Sequence, residues 1–263
     1  MKQENNVWCV VLTYYPKVPL VTTIIEAFYP IPVVVVDNTP KIKERSFVHA
    51  QTLVKGDNLG YTGGVNKGLQ YAFKKGATWC IAVNDDISIP KSSAKTFIKK
   101  LRSMPMAIVG PYAGSLDKKR WTTVYSPRET PKRVDYISGS FMAIHKNVWR
   151  SVGPFYTPYF MYYEDVELCI LARRNGFPLV HIPLNVSHSD TPSLGRGSYL
   201  HNYYLARNHM LFVERNAPWS VRVREYIRLP KTWWEHSERS NIGALAGMRD
   251  YIRRRFGRAP NGL

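Results

Sequence analysis

Trp79-Cys80-Ile81-Ala82-Val83-Asn84-Asp85-Asp86 runs from five apolar residues straight into an amide and two adjacent carboxylates. An unbroken apolar run without polar alternation is the pattern of a strand covered on both faces, as in a parallel sheet. Two upstream stretches read the same way. Residues 7–12 end at Thr13-Tyr14, and the four valines at 33–36 end at Asp37-Asn38. Helical periodicity fills the gaps at 20–28, 65–75 and 92–101. In the second, Val65, Leu69, Ala72 and Phe73 share a side; in the third, Lys91, Lys95 and Lys99 repeat on the exposed side. Residues 107–109 make a further strand. Strand alternating with helix predicts an α/β fold, a mainly parallel sheet flanked by helices. Ligands of such sheets bind beyond the carboxyl ends of the strands, where these polar clusters fall.

The second half changes character. Residues 111–135 read as an irregular or edge-strand excursion, 136–144 as a strand interrupted by Gly139, and 154–163 as an aromatic loop. A helix is expected over 165–175 with Gly176 at its C′ position, then a strand over 177–182 and a helix over 199–215. The expected division is a domain over 1–215 and a basic, aromatic, helical extension over 216–263.

The chain has 263 residues, 44% of them hydrophobic and 13% aromatic, enough for a large core. Its net charge of +18 speaks to partners rather than to fold, and anionic membrane, nucleic acid and anionic small substrates all qualify. Cys9, Cys80 and Cys169 lie far apart in apolar segments, without metal-binding spacing, and read as buried hydrophobes in a reducing compartment. No signal peptide is visible, and no apolar stretch approaches the ~20 residues that span a bilayer. Membrane association is therefore expected to be peripheral, on a cytoplasmic protein.

Four constellations carry chemistry. Asp85 and Asp86 repel one another unless a cation or donors intervene, and a diphosphate with Mg²⁺ or Mn²⁺ supplies one; Asn and Asp also favour plain turns. The stretch from Asp57-Asn58 through Gly60, Gly63, Gly64, Asn66 and Gly68 allows close backbone approach before a helix, yet it is neither a Walker A loop nor a regular dinucleotide fingerprint. Tyr163-Glu164-Asp165 sets carboxylates where a helix begins, either as first-turn acids that complement the helix dipole or as a general base. His188 follows the strand at 177–182, either as a structural histidine or as a ligand completing the Asp86 site.

Taken in order, these segments resemble family 2 glycosyltransferases of the GT-A fold. The carriers are Val10-Val11-Leu12-Thr13-Tyr14, Val35-Val36-Asp37-Asn38, Asn58-x-Gly60-x-x-Gly63-Gly64-x-Asn66-x-Gly68, Asn84-Asp85-Asp86, Ser138-Gly139-Ser140, Val152-Gly153-Pro154-Phe155, Tyr163-Glu164-Asp165-Val166-Glu167-Leu168, Ala172-Arg173-Arg174-Asn175-Gly176-Phe177, His188 and Arg207-Asn208. The resemblance implies an inverting transfer from a UDP- or dTDP-sugar to a glycan or lipid-linked glycan, in O-antigen, capsule or cell-wall assembly. It implies that Thr13, Tyr14, Asp37 and Asn58 contact base and ribose, that Asp85 lies near ribose and donor sugar, and that Gly64, Asn66 and Gly139 belong to the nucleotide-sugar site. Asp86 and His188 would hold Mg²⁺ or Mn²⁺ on the diphosphate, Asp165 would be the base with Glu164 beside it, and Arg207 would assist the leaving group. Tyr15 stands where the family often has Asn, and Tyr156 where many members carry an acid.

Two other readings are weaker. A nucleic-acid binder lacks a recognition helix, zinc finger or RNP-like motif, and its phosphates would meet acids at the strand ends. A nucleotidyltransferase would need a basic, glycine-rich loop after the first strand, where Leu12-Thr13-Tyr14-Tyr15-Pro16 stands.

Overall fold

The computed structural model describes residues 6–124, 133–188 and 197–260. Part of the expected excursion, 125–132, lies outside these, as do Ser189 and Asp190 beside His188. In chain order the strands are β1 (Val7–Thr13), β2 (Val33–Asp37), β3 (Ala50–Val54), β4 (Trp79–Asn84), β5 (Ile87–Ser88), β6 (Ile108–Gly110), β7 (Ala113–Leu116), β8 (Thr123–Val124), β9 (Tyr136–Ile137), β10 (Phe141–His145), β11 (Leu179–His181) and β12 (Ser187–His188). The helices are α1 (Val18–Phe28), α2 (Gly60–Lys74), α3 (Lys91–Ser103), α4 (Lys146–Val152), α5 (Glu164–Arg174), α6 (Tyr199–Asn216), α7 (Trp219–Glu238) and α8 (Ile242–Ile252).

A seven-stranded sheet in the order β11-β6-β10-β4-β1-β2-β3 forms the centre, parallel except for β10, which runs antiparallel between β4 and β6. Both faces are covered, which is why the strands read as continuous apolar runs. Val10, Val34, Val36, Cys80 and Ala82 pack beneath α2 and α5. Cys9, Val11, Val33, Val35, Ile81 and Val83 point the other way, towards α1 and α3. All three cysteines are buried and unpaired.

Three differences from the sequence expectation have physical causes. The edge strand β3, Ala-Gln-Thr-Leu-Val, is only half-buried and carries no continuous apolar run to announce it. Helix α2 begins at Gly60, five residues before the apolar periodicity does, because its glycines lie against other chain segments rather than in a loop. A Cβ on Gly64 would meet Leu12 and Asn38, and one on Gly68 would meet Val10. The stretch 136–144 is two strands in two sheets, β9 and β10, with Ser138-Gly139-Ser140 turning between them.

The C-terminal segment doubles back. Asn241 caps α8 by accepting from Ala244 N at 3.0 Å. Gly243 and Gly247, four apart on one face, bring α8 into backbone contact with Tyr199 and Tyr203 of α6. Beyond α8, Gly257 N donates to Pro158 O at 2.8 Å and Ala259 N to the Tyr204 hydroxyl at 2.9 Å.

Candidate active site

The register of the sheet brings the polar strand ends level. Thr13 of β1 stands opposite Asp37 of β2, and Leu12 opposite Asn84 of β4. Thr13 is buried, with Oγ1 3.5 Å from Val36 O. Tyr14 donates its N–H to Asp85 Oδ2 at 3.4 Å, and its phenol bonds to the Asn58 side chain. Asn58 Oδ1 also accepts from Gly60 N at 2.9 Å. Asp37 is fully buried; Thr39 N donates to its Oδ1 at 2.9 Å, and Arg45 Nη1 lies 2.9 Å from its Oδ2. Thr13, Tyr14, Asp37, Asn58 and Asp85 thus share one edge of the sheet.

Two basic residues join them without a signal in the sequence pattern. Arg45 comes from an irregular stretch between β2 and β3. Arg258, near the end of the chain, reaches to 3.4 Å from Asp57 Oδ1, and its charge acts on the Tyr14 phenol.

Next along the edge, β12 pairs antiparallel with β5, setting His188 opposite Ile87. That ladder joins two residues a hundred positions apart in the chain: His188 Nδ1 lies 3.6 Å from Asp86 Oδ1. His188 Nε2 is 3.2 Å from Ser140 Oγ, and its ring lies 5.0 Å from that of Tyr112. Asp86 Oδ1 is buried and has no hydrogen-bond partner among the described residues. A hard divalent cation fits such an oxygen beside an imidazole. Among the described residues no three His, Cys, Asp or Glu side chains converge in this way, so a metal here would need ligands from a bound diphosphate or water.

The third cluster opens α5. Phe160, Tyr162 and Tyr163 all have positive φ (66°, 67° and 73°), a strained conformation for aromatic residues. That strain aims Glu164 and Asp165 from the first helical turn. Asp165 is half-buried; its carboxylate accepts from Gly139 N and from Val166 N, each at 2.8 Å. Gly139 has no room for a side chain, since a Cβ would lie 2.7 Å from the Tyr61 hydroxyl. Glu164 is buried, and its Oε2 has no partner among the described residues. Three residues on, Glu167 is a structural acid. It accepts from the Tyr159 hydroxyl and Asn216 Nδ2, each at 2.6 Å, and from Arg215 through both Nε and Nη2. Arg215 in turn lies 3.6 Å over the Tyr156 ring, so the aromatic at that family position serves as a cation–π platform.

The electrostatics of the cleft are those of packed acids. Burial, then the Asp86 and Asp37 charges, lift Asp85 to about 6. Burial and the adjacent Asp165 push Glu164 well above the usual carboxylate range. Asp165 is also raised by burial, but its backbone N–H donors oppose the shift, so it holds charge more readily than Glu164. Tyr162, raised to about 12 by burial and by Glu164 and Asp86, lies between the two acidic clusters. The Ser138-Gly139-Ser140 turn joins them physically, with Gly139 on Asp165 and Ser140 on His188. An acceptor hydroxyl against Asp165 would face a diphosphate against Asp86.

Three expected site residues are placed otherwise. Arg207 is fully buried, and its guanidinium donates to the carbonyls of Tyr159 (2.9 Å), Pro158 (3.3 Å) and Gly257 (2.7 Å) and to Asn208 Oδ1 (2.9 Å). Asn208 Nδ2 binds the carbonyls of Tyr159, Met161 and Tyr162. The Arg-Asn pair therefore clamps the strained loop ahead of Glu164 and leaves no guanidinium edge for a leaving group. Asn66 exchanges two hydrogen bonds with the backbone of Phe155, at 2.8 and 2.9 Å, holding the other end of that loop. Gly64 provides helix-to-strand contact rather than ligand contact.

No protein-family model matches the chain. Among curated proteins, it is 26% identical to N-acetylglucosaminyl-diphospho-decaprenol L-rhamnosyltransferase of Mycobacterium tuberculosis, over 70% of this chain and 73% of that one. It is 24% identical to dTDP-rhamnosyl transferase RfbF of Shigella flexneri, over 85% and 86%. It is 28% identical to the low-salt glycan biosynthesis hexosyltransferase Agl10 of Haloferax volcanii, over 54% and 53%. Among solved structures, S. aureus TarS 1–349 superposes with a TM-score of 0.52 at 14% identity, over 79% of this chain and 65% of that chain, and shares the fold. With a mostly parallel sheet, acids gathered at its carboxyl edge and relatives that are glycosyltransferases by name, the chain is a glycosyltransferase of the GT-A fold, similar to the family 2 enzymes.

Proposed function

We propose that the enzyme transfers a deoxyhexose or hexose, with inversion, from a dTDP- or UDP-sugar to a hydroxyl of a lipid-linked glycan. The observation that carries this reading is the single turn at 138–140, which links the Asp165 carboxylate to the Asp86–His188 pair. Inversion needs one base on the acceptor side and a neutralised leaving group on the other. Asp165, aimed by Gly139 N–H, takes the acceptor proton at its carboxylate. Glu164, whose pKa burial and the adjacent Asp165 raise, would hydrogen-bond a substrate oxygen. Asp37, Tyr14, Asn58 and Asp85 would hold the nucleoside and donor sugar. Asp86 and His188 would hold Mg²⁺ or Mn²⁺, and the chemistry such an ion would supply there is Lewis-acid stabilisation of a nucleoside diphosphate leaving group. Two of the relatives are named as rhamnosyltransferases and one as acting on a diphospho-decaprenol, which supports dTDP-rhamnose as the first donor to try and a polyprenyl diphosphate glycan as the acceptor class. Such an acceptor puts the enzyme at a membrane surface, in surface-polysaccharide assembly.

A nucleotide-sugar panel read by thermal shift, with Mn²⁺ or EDTA, tests the donor half. The expected result is a metal-dependent rise in Tm for one dTDP- or UDP-sugar that disappears in Asp86→Ala. Absence of a shift for every donor in the presence of metal refutes it.

A further inference from the structure

Helix α7 turns one face inward and leaves an apolar one outside. Val221 and Glu225 are buried, and Arg228 and Glu235 pair with each other at 3.1 Å. Outside stand Trp219 (74% exposed), Ile227 (77%), Trp234 (60%), Tyr226 (38%) and Trp233 (38%). At 100° per residue these five, with Val223 and Pro230, fall in one stripe roughly 120° wide. The helix is about 30 Å long at 1.5 Å per residue. Of the fourteen large hydrophobic residues exposed among the described ones, five lie on this single helix, so the stripe is a patch and not scatter.

Charge selects the occupant. Arg222 borders the stripe on one side, Arg224 and Lys231 on the other, and Arg239 follows the last turn. Of the acids of α7, Glu225 is buried, 3.9 Å from Arg224, Glu235 is paired with Arg228, and only Glu238, the final residue, stands exposed at the edge of the stripe, next to Arg239. The whole chain carries +18. Tryptophans beside Arg and Lys match the boundary between acyl chains and anionic head groups. With one polar face against the protein, the helix suits lying in the plane of a leaflet, and no helix among the described residues is long and apolar enough to cross a bilayer.

The inward face connects to the catalytic loop. Glu225 feels the charges of Arg120 and Asp117, and Trp121 packs with Val221 and lies 5.6 Å from Phe212, ring to ring. Thr123, two residues on, bonds to the Tyr163 hydroxyl, next to Glu164.

We infer that α7 docks this enzyme in the plane of an anionic membrane, burying Trp219, Ile227, Trp233 and Trp234 while Arg224 and Lys231 meet lipid phosphates. The purpose of that docking, though not the docking itself, rests on the lipid-linked acceptor proposed above. The test is flotation and tryptophan fluorescence of the full chain with phosphatidylglycerol–phosphatidylcholine vesicles and with phosphatidylcholine alone. Binding with a blue shift to the anionic vesicles, weakened by salt, is expected. Trp219→Ser/Ile227→Ser/Trp234→Ser weakens it by about a hundredfold, given the apolar surface these side chains bury, and Arg224→Glu/Lys231→Glu restricts it to low salt. Both variants keep the wild-type donor-induced thermal shift, which separates failure of docking from failure of the donor reading. No binding of wild type to anionic vesicles at low salt, or wild-type binding by the triple variant, overturns the inference. So does a wild-type dimer by light scattering that the triple variant converts to monomer, since the stripe would then cover a second copy of the chain.

Discussion

Glu164→Gln separates the burial of Glu164 from its chemistry. Glu164 is 5% exposed, its Oε2 has no hydrogen-bond partner among the described residues, and Asp165 is its chain neighbour. Burial first, and then Asp165, raise its pKa well above the ordinary value. A carboxylate whose pKa is higher folded than unfolded binds its proton more tightly in the native state. Stability therefore falls as pH rises from the unfolded pKa of about 4.3, and the deficit is complete above the folded pKa. Glutamine has nearly the same shape and no charge, so its advantage is near zero at pH 4 and grows towards pH 8. Each unit by which folding raises the pKa costs the charged form about 1.4 kcal/mol. At about 2–4 °C per kcal/mol for a chain of this size, Glu164→Gln should raise Tm at pH 8 by about 3–6 °C per unit. Calorimetry of both proteins at pH 4 and pH 8 reads this directly, with sugar transfer measured in parallel and expected to fall. A variant equal to wild type at both pH values, or less stable at pH 8, would refute the reasoning, because Glu164 would then be ionised and well held.

Three further substitutions distinguish scaffold from site. Arg207→Met should cost about 2–4 kcal/mol, because it removes a buried guanidinium from its hydrogen bonds and takes the donors from Gly257 O and Asn208 Oδ1; urea titration checks it, and a variant of native stability with weakened donor binding would return Arg207 to the leaving group. Gly247→Val should cost about 1–3 kcal/mol, since its Cβ meets the Tyr203 carbonyl and lies 3.2 Å from Arg207 N, both backbone atoms that cannot swing aside; an unchanged thermal midpoint contradicts it. Arg258→Ala should raise KM for the nucleotide sugar severalfold with little change in kcat and under about 0.5 kcal/mol of stability; initial-rate kinetics decide, and an unchanged KM removes Arg258 from the donor site.

The site was only partly legible. Asp85, Asp86, Glu164 and Asp165 are adjacent acids at the ends of patterned elements, and such residues announce themselves. Arg207-Asn208 is as conspicuous a motif, yet its role is to clamp carbonyls of the loop at 158–162, a function without periodicity. Arg45 and Arg258 escaped because they reach the cleft from an irregular stretch and from near the end of the chain.

Sequence alone determined the sheet and its polar edge. Valine and isoleucine runs without alternation can be satisfied only between two covering layers, and acids that end such runs must gather at one rim. The tertiary structure decided what that rim becomes. Pairing of β12 with β5 carries His188 to Asp86, the turn at 138–140 carries both to Asp165, and the return of α8 and the tail to α6 locks the strained loop. It also decided which face of α7 is left bare. These contacts join residues far apart in the chain, and a local pattern records how each segment is built but not which distant segment it meets.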